Sequence, residues 1–335
     1  MPMETRVFGP TGRQVGVIGL GCWQFGGDWG DVSDIQALNV LSTAVEAGVT
    51  LIDTADCYGD GHSEDLVGQF LTSIGGAKEN GLTVITKMGR LANPHVESAY
   101  CYENFRGWLD RSRKLLRMDR IPVIQLHCPP TPVFSSPKVY EALDRLVSED
   151  VIEAYGVSVE TCDEALTAME HGVVSVQIVC NVLRRKPLEK VLPTAKEKGV
   201  AIIARVPLAS GLLTGKFTET TSFAPQDHRT FNRYGQAFDV GETFAGVPYE
   251  QGVQAGREVA RIAAGIAGQP TPSQLALRWL IDQDGITTTI PGASRPEQAR
   301  LNAEAETLEP LSAEILAELK EIYDRYAAPA VADKW

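Results

Sequence analysis

Several protein classes are excluded by what this sequence lacks. Its cysteines, Cys22, Cys57, Cys101, Cys128, Cys162 and Cys180, form no C-x-x-C pair and no framework spacing. A zinc ribbon and a disulfide scaffold are therefore not expected. The five histidines show no H-x-x-x-H or H-E-x-x-H pattern, so no metal is expected. No apolar run approaches the roughly 20 residues of a bilayer-spanning helix, and a membrane partner is not expected. Long lysine or arginine runs are missing and the formal charge is −12, which makes nucleic acid a poor partner. Net charge says little about one pocket, so an anionic cofactor can still bind through local donors. The opening stretch MPMETRVFGPTG has no apolar h-region. The expectation is a reduced, cytoplasmic protein.

What is present is an α/β pattern. The 335 residues are 44% hydrophobic and 22% charged, which suits a folded chain with a sizeable core. Short β-rich runs recur at 17–20, 50–53, 82–86, 123–127, 154–158, 175–178, 200–204 and 286–290. They are near-continuous apolar runs, as parallel strands buried on both faces require. Amphipathic stretches separate them. Ile35, Leu38 and Val45 follow Ser33, an N-cap candidate, and Phe105, Trp108, Leu109, Leu115 and Leu116 share a helical face. Thr161 with Glu164 reads as a capping box, and Pro187 suits a first helical position. Eight β/α units predict a (β/α)8 TIM barrel.

Additions flank this barrel. Residues 5–19 read as a hairpin on a Pro-Thr-Gly turn that plugs the barrel floor. Residues 216–248 show no clear element but hold five of the ten phenylalanines, which favours a packed lid over a floppy linker. Ser312 caps a last helix with Ile315, Leu319, Ile322 and Tyr326 inward, and the tail reads as a surface strap. No boundary divides the chain, so one domain over 1–335 is expected.

In such a barrel the C-terminal strand ends share one mouth. Asp53, Lys87, His127 and Ser158 stand at those ends, Tyr58 follows Asp53, and Gln177 lies on the sixth strand. A lysine ammonium beside a phenol favours phenolate and lowers its pKa, while a buried aspartate holds the lysine. Tyr58 could then exchange a proton with a carbonyl or alcohol oxygen near neutral pH, with His127 aiming that oxygen. A hydride donor is the one part such a site still needs.

Together these residues resemble the aldo-keto reductase family. Asp53-Thr54-Ala55, Tyr58-Gly59 and Ser63-Glu64 match its first signature, and Lys87 and His127 complete its Asp-Tyr-Lys-His tetrad. Pro207-Leu208-Ala209 and Gly211 to Lys216, including Leu213, look like its pyrophosphate loop. Gly292, Ser294, Gln298 and Asn302 look like its adenosine-binding end, with Arg295 beside them. The resemblance spans residues 5 to about 305. It implies NADP(H) or NAD(H) bound without a Rossmann fold, and hydride transfer to a small aldehyde, ketone or sugar. Gly19-Leu20-Gly21 lacks the third glycine of a Rossmann fingerprint in any case.

Three features depart from the family's common pattern. Val159 replaces an asparagine beside Ser158, leaving Ser158 and Gln177 to hold the carboxamide. Arg205 replaces a stacking aromatic, and its flat guanidinium is expected to stack instead. Gly292 and Gln298 replace a lysine and an arginine at the 2′-phosphate, where Ser294 and Arg295 can substitute. NADP(H) is favoured, with NAD(H) possible. Trp23 is read as lining the pocket. Two alternatives stay open: a non-catalytic NADP(H)-binding sensor, and an aldolase using Lys87 as a Schiff-base lysine.

Overall fold

A computed structural model describes residues 3–335. The chain opens with an antiparallel hairpin, β1 (Thr5–Val7) and β2 (Gln14–Gly16). Eight parallel strands follow: β3 (Leu20–Gly21), β4 (Leu51–Asp53), β5 (Thr83–Met88), β6 (Ile121–His127), β7 (Ile152–Ser158), β8 (Ser175–Val179), β9 (Ala201–Arg205) and β10 (Thr288–Thr289). They pair in sequence order from β3 to β10. Parallel bridges from Ile18 to Thr289 and from Gly21 to Gly292 close the ring. The fold is the expected (β/α)8 barrel; seven expected strands have bounds within two residues of the observed ones, and the first, expected at 17–20, begins three residues later at Leu20.

The alternation of side chains along each strand builds the site. Leu51, Ile85, Val123, Ala154, Ala201 and Ile203 pack in one apolar cluster with Phe8 and Val15 of the hairpin. The hairpin thus plugs the floor. Two residues further along the same strand faces, the side chains turn polar: Asp53, Lys87, Gln125 and Arg205, all buried. Period-two alternation carries one strand face from core to chemistry.

Helices cover the barrel: α1 (Asp34–Glu46), α2 (His62–Ser73), α3 (Tyr102–Leu116), α4 (Pro137–Ser148), α5 (Cys162–Ala168) and α6 (Val191–Lys198). The short α7 (His228–Phe231) precedes α8 (Tyr249–Gly265), α9 (Pro272–Ile281), α10 (Pro296–Glu304), α11 (Ala313–Ile322) and α12 (Ala328–Val331). No helix among the described residues is long and apolar enough to cross a membrane.

Ser33, Thr161 and Ser312 cap α1, α5 and α11 as expected. Two readings are corrected. Helix α1 buries Ala37, Val40, Leu41 and Ala44, while Ile35 is 74% exposed. The buried residues fall at i, i+3, i+4 and i+7 from Ala37, and Ile35, two residues before it, points to the opposite side of the helix. Pro187 sits in a separate 3-10 turn, Lys186–Leu188, and α6 starts only at Val191. The 216–248 segment has local turns at Val240–Glu242 and Phe244–Gly246. Its rings pack: Phe217 on Phe223 at 5.2 Å and Phe231 on Phe238 at 6.1 Å.

Candidate active site

At the barrel mouth, Lys87 is fully buried and donates all three ammonium protons. Its Nζ reaches Asp53 Oδ1 at 2.6 Å, the Thr54 carbonyl at 2.8 Å and Tyr58 Oη at 3.2 Å. The other Asp53 oxygen accepts from Gln177 Nε2 at 2.8 Å, and Gln177 also donates to Gln125 Oε1 at 3.0 Å. Because Tyr58 Oη accepts from Lys87, its own O–H remains free to donate elsewhere. The His127 ring meets the Tyr58 ring edge-on, with centroids 5.8 Å apart. The structure thus brings Asp53, Tyr58, Lys87 and His127 together. A Schiff-base role for Lys87 fits poorly, since that chemistry needs a free neutral amine.

The electrostatics correct one expectation. Burial, followed by the nearby Asp53 charge, raises the Tyr58 pKa well above that of a free phenol. The lysine contact does not make the phenol acidic here, because desolvation of the phenolate outweighs one ammonium already shared with Asp53. Tyr58 therefore rests as a proton donor. Burial also lowers His127 well below an ordinary imidazole, with the Arg90 charge the next cause. It rests neutral.

A second charged group adjoins the tetrad, and the sequence reading missed most of it. Arg90 pairs with Glu242 Oε1 at 2.7 Å and approaches His127 Nε2 at 3.2 Å. Arg205 donates to Glu160 Oε2 at 2.8 Å and to the Val159 carbonyl at 2.9 Å, and lies 3.4 Å from Glu242. Arg205 lines the cavity, but the expected stacking guanidinium is tied by its edges to these groups. Burial raises both carboxyls; at Glu242 the guanidiniums of Arg90 and Arg205 outweigh it and hold the group ionised. Glu160 keeps a raised pKa. Arg90 had a signal, lying three residues past Lys87 at a strand end. Glu242, in the irregular 216–248 segment, had none.

A cavity of about 290 Å³ runs from the tetrad across the mouth. Trp23, Asp53, Tyr58, His127, Gln177, Arg205, Pro207, Leu208, Gly211, Lys216, Gly292, Ser294, Arg295 and Gln298 line it. Ser158, Leu213 and Asn302 do not. Ser158 is buried at the β7 end, Leu213 points into the core, and Asn302 donates to the Gly292 carbonyl at 3.3 Å. Lys87 stands behind the wall, reaching the cavity through Tyr58. Gln298 is committed through its oxygen, which accepts from the Ser294 amide at 2.9 Å and its hydroxyl at 3.1 Å.

The donor set suits an elongated anionic nucleotide. Lys216 and Arg295 put cations on the cavity wall, while Arg229, ion-paired with Asp227, lies over the Trp29 ring at 4.9 Å. Gln24, also missed from sequence, lines the same wall, and its buried Oε1 has no hydrogen-bond partner. A Cβ on Gly292 would fall 2.0 Å from that oxygen. Glycine at 292 is therefore what admits the Gln24 amide to the wall.

Comparison with known proteins identifies the class. The model of the aldo/keto reductase family matches residues 17–324, and the chain belongs to that family. It is an oxidoreductase by that membership. Aldo-keto reductase YhdN of Bacillus subtilis is 29% identical over 301 residues, covering 88% of this chain and 86% of that protein. The NADH-specific methylglyoxal reductase of Escherichia coli is 26% identical over 342 residues, covering 96% of this chain and all of that protein. Among solved structures, an aldo-keto reductase from Klebsiella pneumoniae in complex with NADPH superposes with a TM-score of 0.71 at 22% identity. It covers 96% of both chains.

Proposed function

We propose that this protein reduces small aldehydes, ketones or sugars with a bound nicotinamide cofactor, Tyr58 acting as the proton donor. The observation that carries the reading is the Lys87 ammonium, 3.2 Å from Tyr58 Oη and 2.6 Å from Asp53. A bound reduced nicotinamide supplies the hydride. The chain's residues manage the proton. Tyr58 gives its phenolic hydrogen to the substrate oxygen as that oxygen gains charge. The phenolate left behind is met by an ammonium already in place, so no group has to reorganise. Asp53, fixed by Gln177, keeps Lys87 aimed. The raised pKa of Tyr58 keeps the proton on the phenol at neutral pH, ready for the carbonyl oxygen.

NADP(H) is the favoured cofactor and NAD(H) is accepted. Arg295 and Lys216 supply local cations despite the acidic chain, and an arginine fork suits a 2′-phosphate. The neutral Gln24–Gly292 pair weakens that preference, and the NADH-specific relative shows that related chains can take the other form. The substrate end, with Trp23, Trp29 and the Glu242–Arg205 pair, offers both apolar and polar contact to a small carbonyl compound.

Tyr58→Phe tests the reading. Carbonyl reduction should fall by about 10³-fold, while cofactor affinity, followed by quenching of tryptophan fluorescence, stays within a few-fold. Retention of more than about a tenth of the activity removes Tyr58 from this role. Wild-type protein that binds reduced cofactor but oxidises it with no member of an aldehyde, ketone and sugar panel would instead be a nucleotide-binding sensor.

A further inference from the structure

Arg90 follows β5 and turns back over the mouth. Its Nη1 lies 3.2 Å from His127 Nε2, its Nη2 donates to Glu242 Oε1 at 2.7 Å, and its guanidinium lies 5.1 Å from the Phe238 ring centre. A guanidinium can donate but cannot accept. Nε2 must then be the bare, accepting nitrogen of His127. The ring proton sits on Nδ1, which faces Cys57 Sγ at 3.4 Å. A doubly protonated ring would set N–H against N–H and one positive charge against another.

We propose that Arg90 is a positioning residue: anchored by Glu242, it locks His127 as the neutral Nδ1–H tautomer. This rests on the reading of the tetrad as a reductase site, but it changes the part played by the histidine. From sequence alone His127 is the group that aims the substrate oxygen by hydrogen bonding. Held as the structure holds it, His127 presents a lone pair at Nε2 to Arg90. The guanidinium charge is thereby fixed beside the imidazole that packs on Tyr58. Glu242 completes the device, because an arginine otherwise free to swing would not hold one tautomer.

The surroundings of His127 agree with this assignment. Cys57 and Tyr58 face it from the loop after β4, and Lys87, Arg90 and His95 from β5 and its loop. Cys128 follows it, Arg205 adds a cation from β9, and Glu242 is spent on Arg90 and Arg205. Cations dominate this set, so a neutral ring is favoured over an imidazolium.

The test is long-range proton–nitrogen NMR of the uniformly nitrogen-15-labelled full chain, with His127 assigned by its loss in His127→Gln. Wild-type His127 should show the Nδ1–H pattern and no titration between about pH 5 and 9. Arg90→Met should release the ring: the Nδ1–H pattern gives way to an Nε2–H or mixed pattern, and the titration moves up toward the ordinary histidine range while burial, the larger cause, still holds it below. Its kcat/KM should fall by about 10- to 100-fold and gain an acid limb absent from wild type. Arg90→Lys, which keeps a cationic donor, should restore the wild-type tautomer. If Arg90→Met does not fold, the double variant Arg90→Met/Glu242→Gln removes the stranded carboxylate and reads the same signal. An Nε2–H pattern in the wild type overturns the proposal, and so does an unchanged His127 spectrum in the Arg90 variant. The spectra need neither substrate nor cofactor. Their outcome is therefore separate from that of the Tyr58→Phe assay.

Discussion

Asp56 is a carboxyl with almost no solvent, two residues from Tyr58, and its buried Oδ1 has no hydrogen-bond partner. Burial, then the nearby Glu64 charge, raises its pKa from 3.8 to about 7. The sign of the effect on stability follows directly. Folding favours the protonated form, so stability tied to Asp56 is full below its unfolded pKa and is lost as pH rises through about 7. Asp56→Asn should therefore stabilise the protein by about 1–3 kcal/mol near pH 8, with the gain fading toward pH 4. Thermal melts across that range check it; an equal shift at both ends would mean that the carboxyl ionisation is not responsible. Legibility at this scale divided along chemical lines. Asp53, Tyr58, Lys87 and His127 were readable because each stands at or just past a strand end, where the fold rule assigns a direction. Arg90, Glu160 and Gln24 were not singled out, since each is an ordinary polar residue whose role depends on a partner distant in sequence. The Tyr58 pKa was misread because a sequence shows the neighbouring lysine but not the desolvation that outweighs it.

Helix α5 shows how an element reaches the site. Thr161 Oγ1 accepts from the Glu164 amide at 3.1 Å, and Glu164 Oε2 accepts from the Thr161 and Glu160 amides at 3.1 and 3.0 Å. Glu164 Oε1 also accepts from Thr131 Oγ1 at 2.8 Å, tying the loop after β6 to this cap. The cap thus fixes the backbone of Glu160, whose carboxyl holds Arg205. Thr161→Ala should cost about 1 kcal/mol, read as a drop of a few degrees in Tm. Glu164→Ala strands three donors and should cost more, and it should also raise KM through Glu160 and Arg205. A Glu164→Ala protein no less stable than Thr161→Ala would contradict this ordering. The capping box was legible because its residues are local in sequence and their bonds follow from spacing. The barrel strands were legible for the same kind of reason, being short, near-continuous apolar runs. The buried face of α1 was not, because alanines at 37 and 44 mark that face weakly beside Ile35, which lies on the opposite side. The turns within 216–248 were equally hidden: their geometry is imposed by packing, such as Phe244 on Tyr249 at 5.0 Å, not by periodicity.

Over the whole molecule, the two ends of the polar network are joined by the tail. Beyond α12, the Trp335 carbonyl accepts from the Cys162 amide at 3.0 Å. The Trp335 ring lies under Arg184, 3.8 Å from the guanidinium carbon, and Arg184 donates to the Ala245 carbonyl at 3.1 Å. A Cβ on Gly246 would come within 2.6 Å of the indole, so the ring presses directly on the segment that carries Glu242. Glu242 in turn holds Arg90 and Arg205 at the mouth. The last residue of the chain is therefore two contacts from the site, through elements that share no local sequence. Trp335→Ala should remove the stacked ring and free the 241–246 backbone. Amide hydrogen exchange there is expected to speed up by about tenfold or more, while the β5–β7 core stays protected. Global stability should fall by about 1–2 kcal/mol, because the ring is only partly buried. Activity should drop several-fold through looser placement of Glu242, with Trp335→Phe recovering most of it. Unchanged exchange at 241–246 alongside lost activity would show that the tail acts on the site by some route other than this strap.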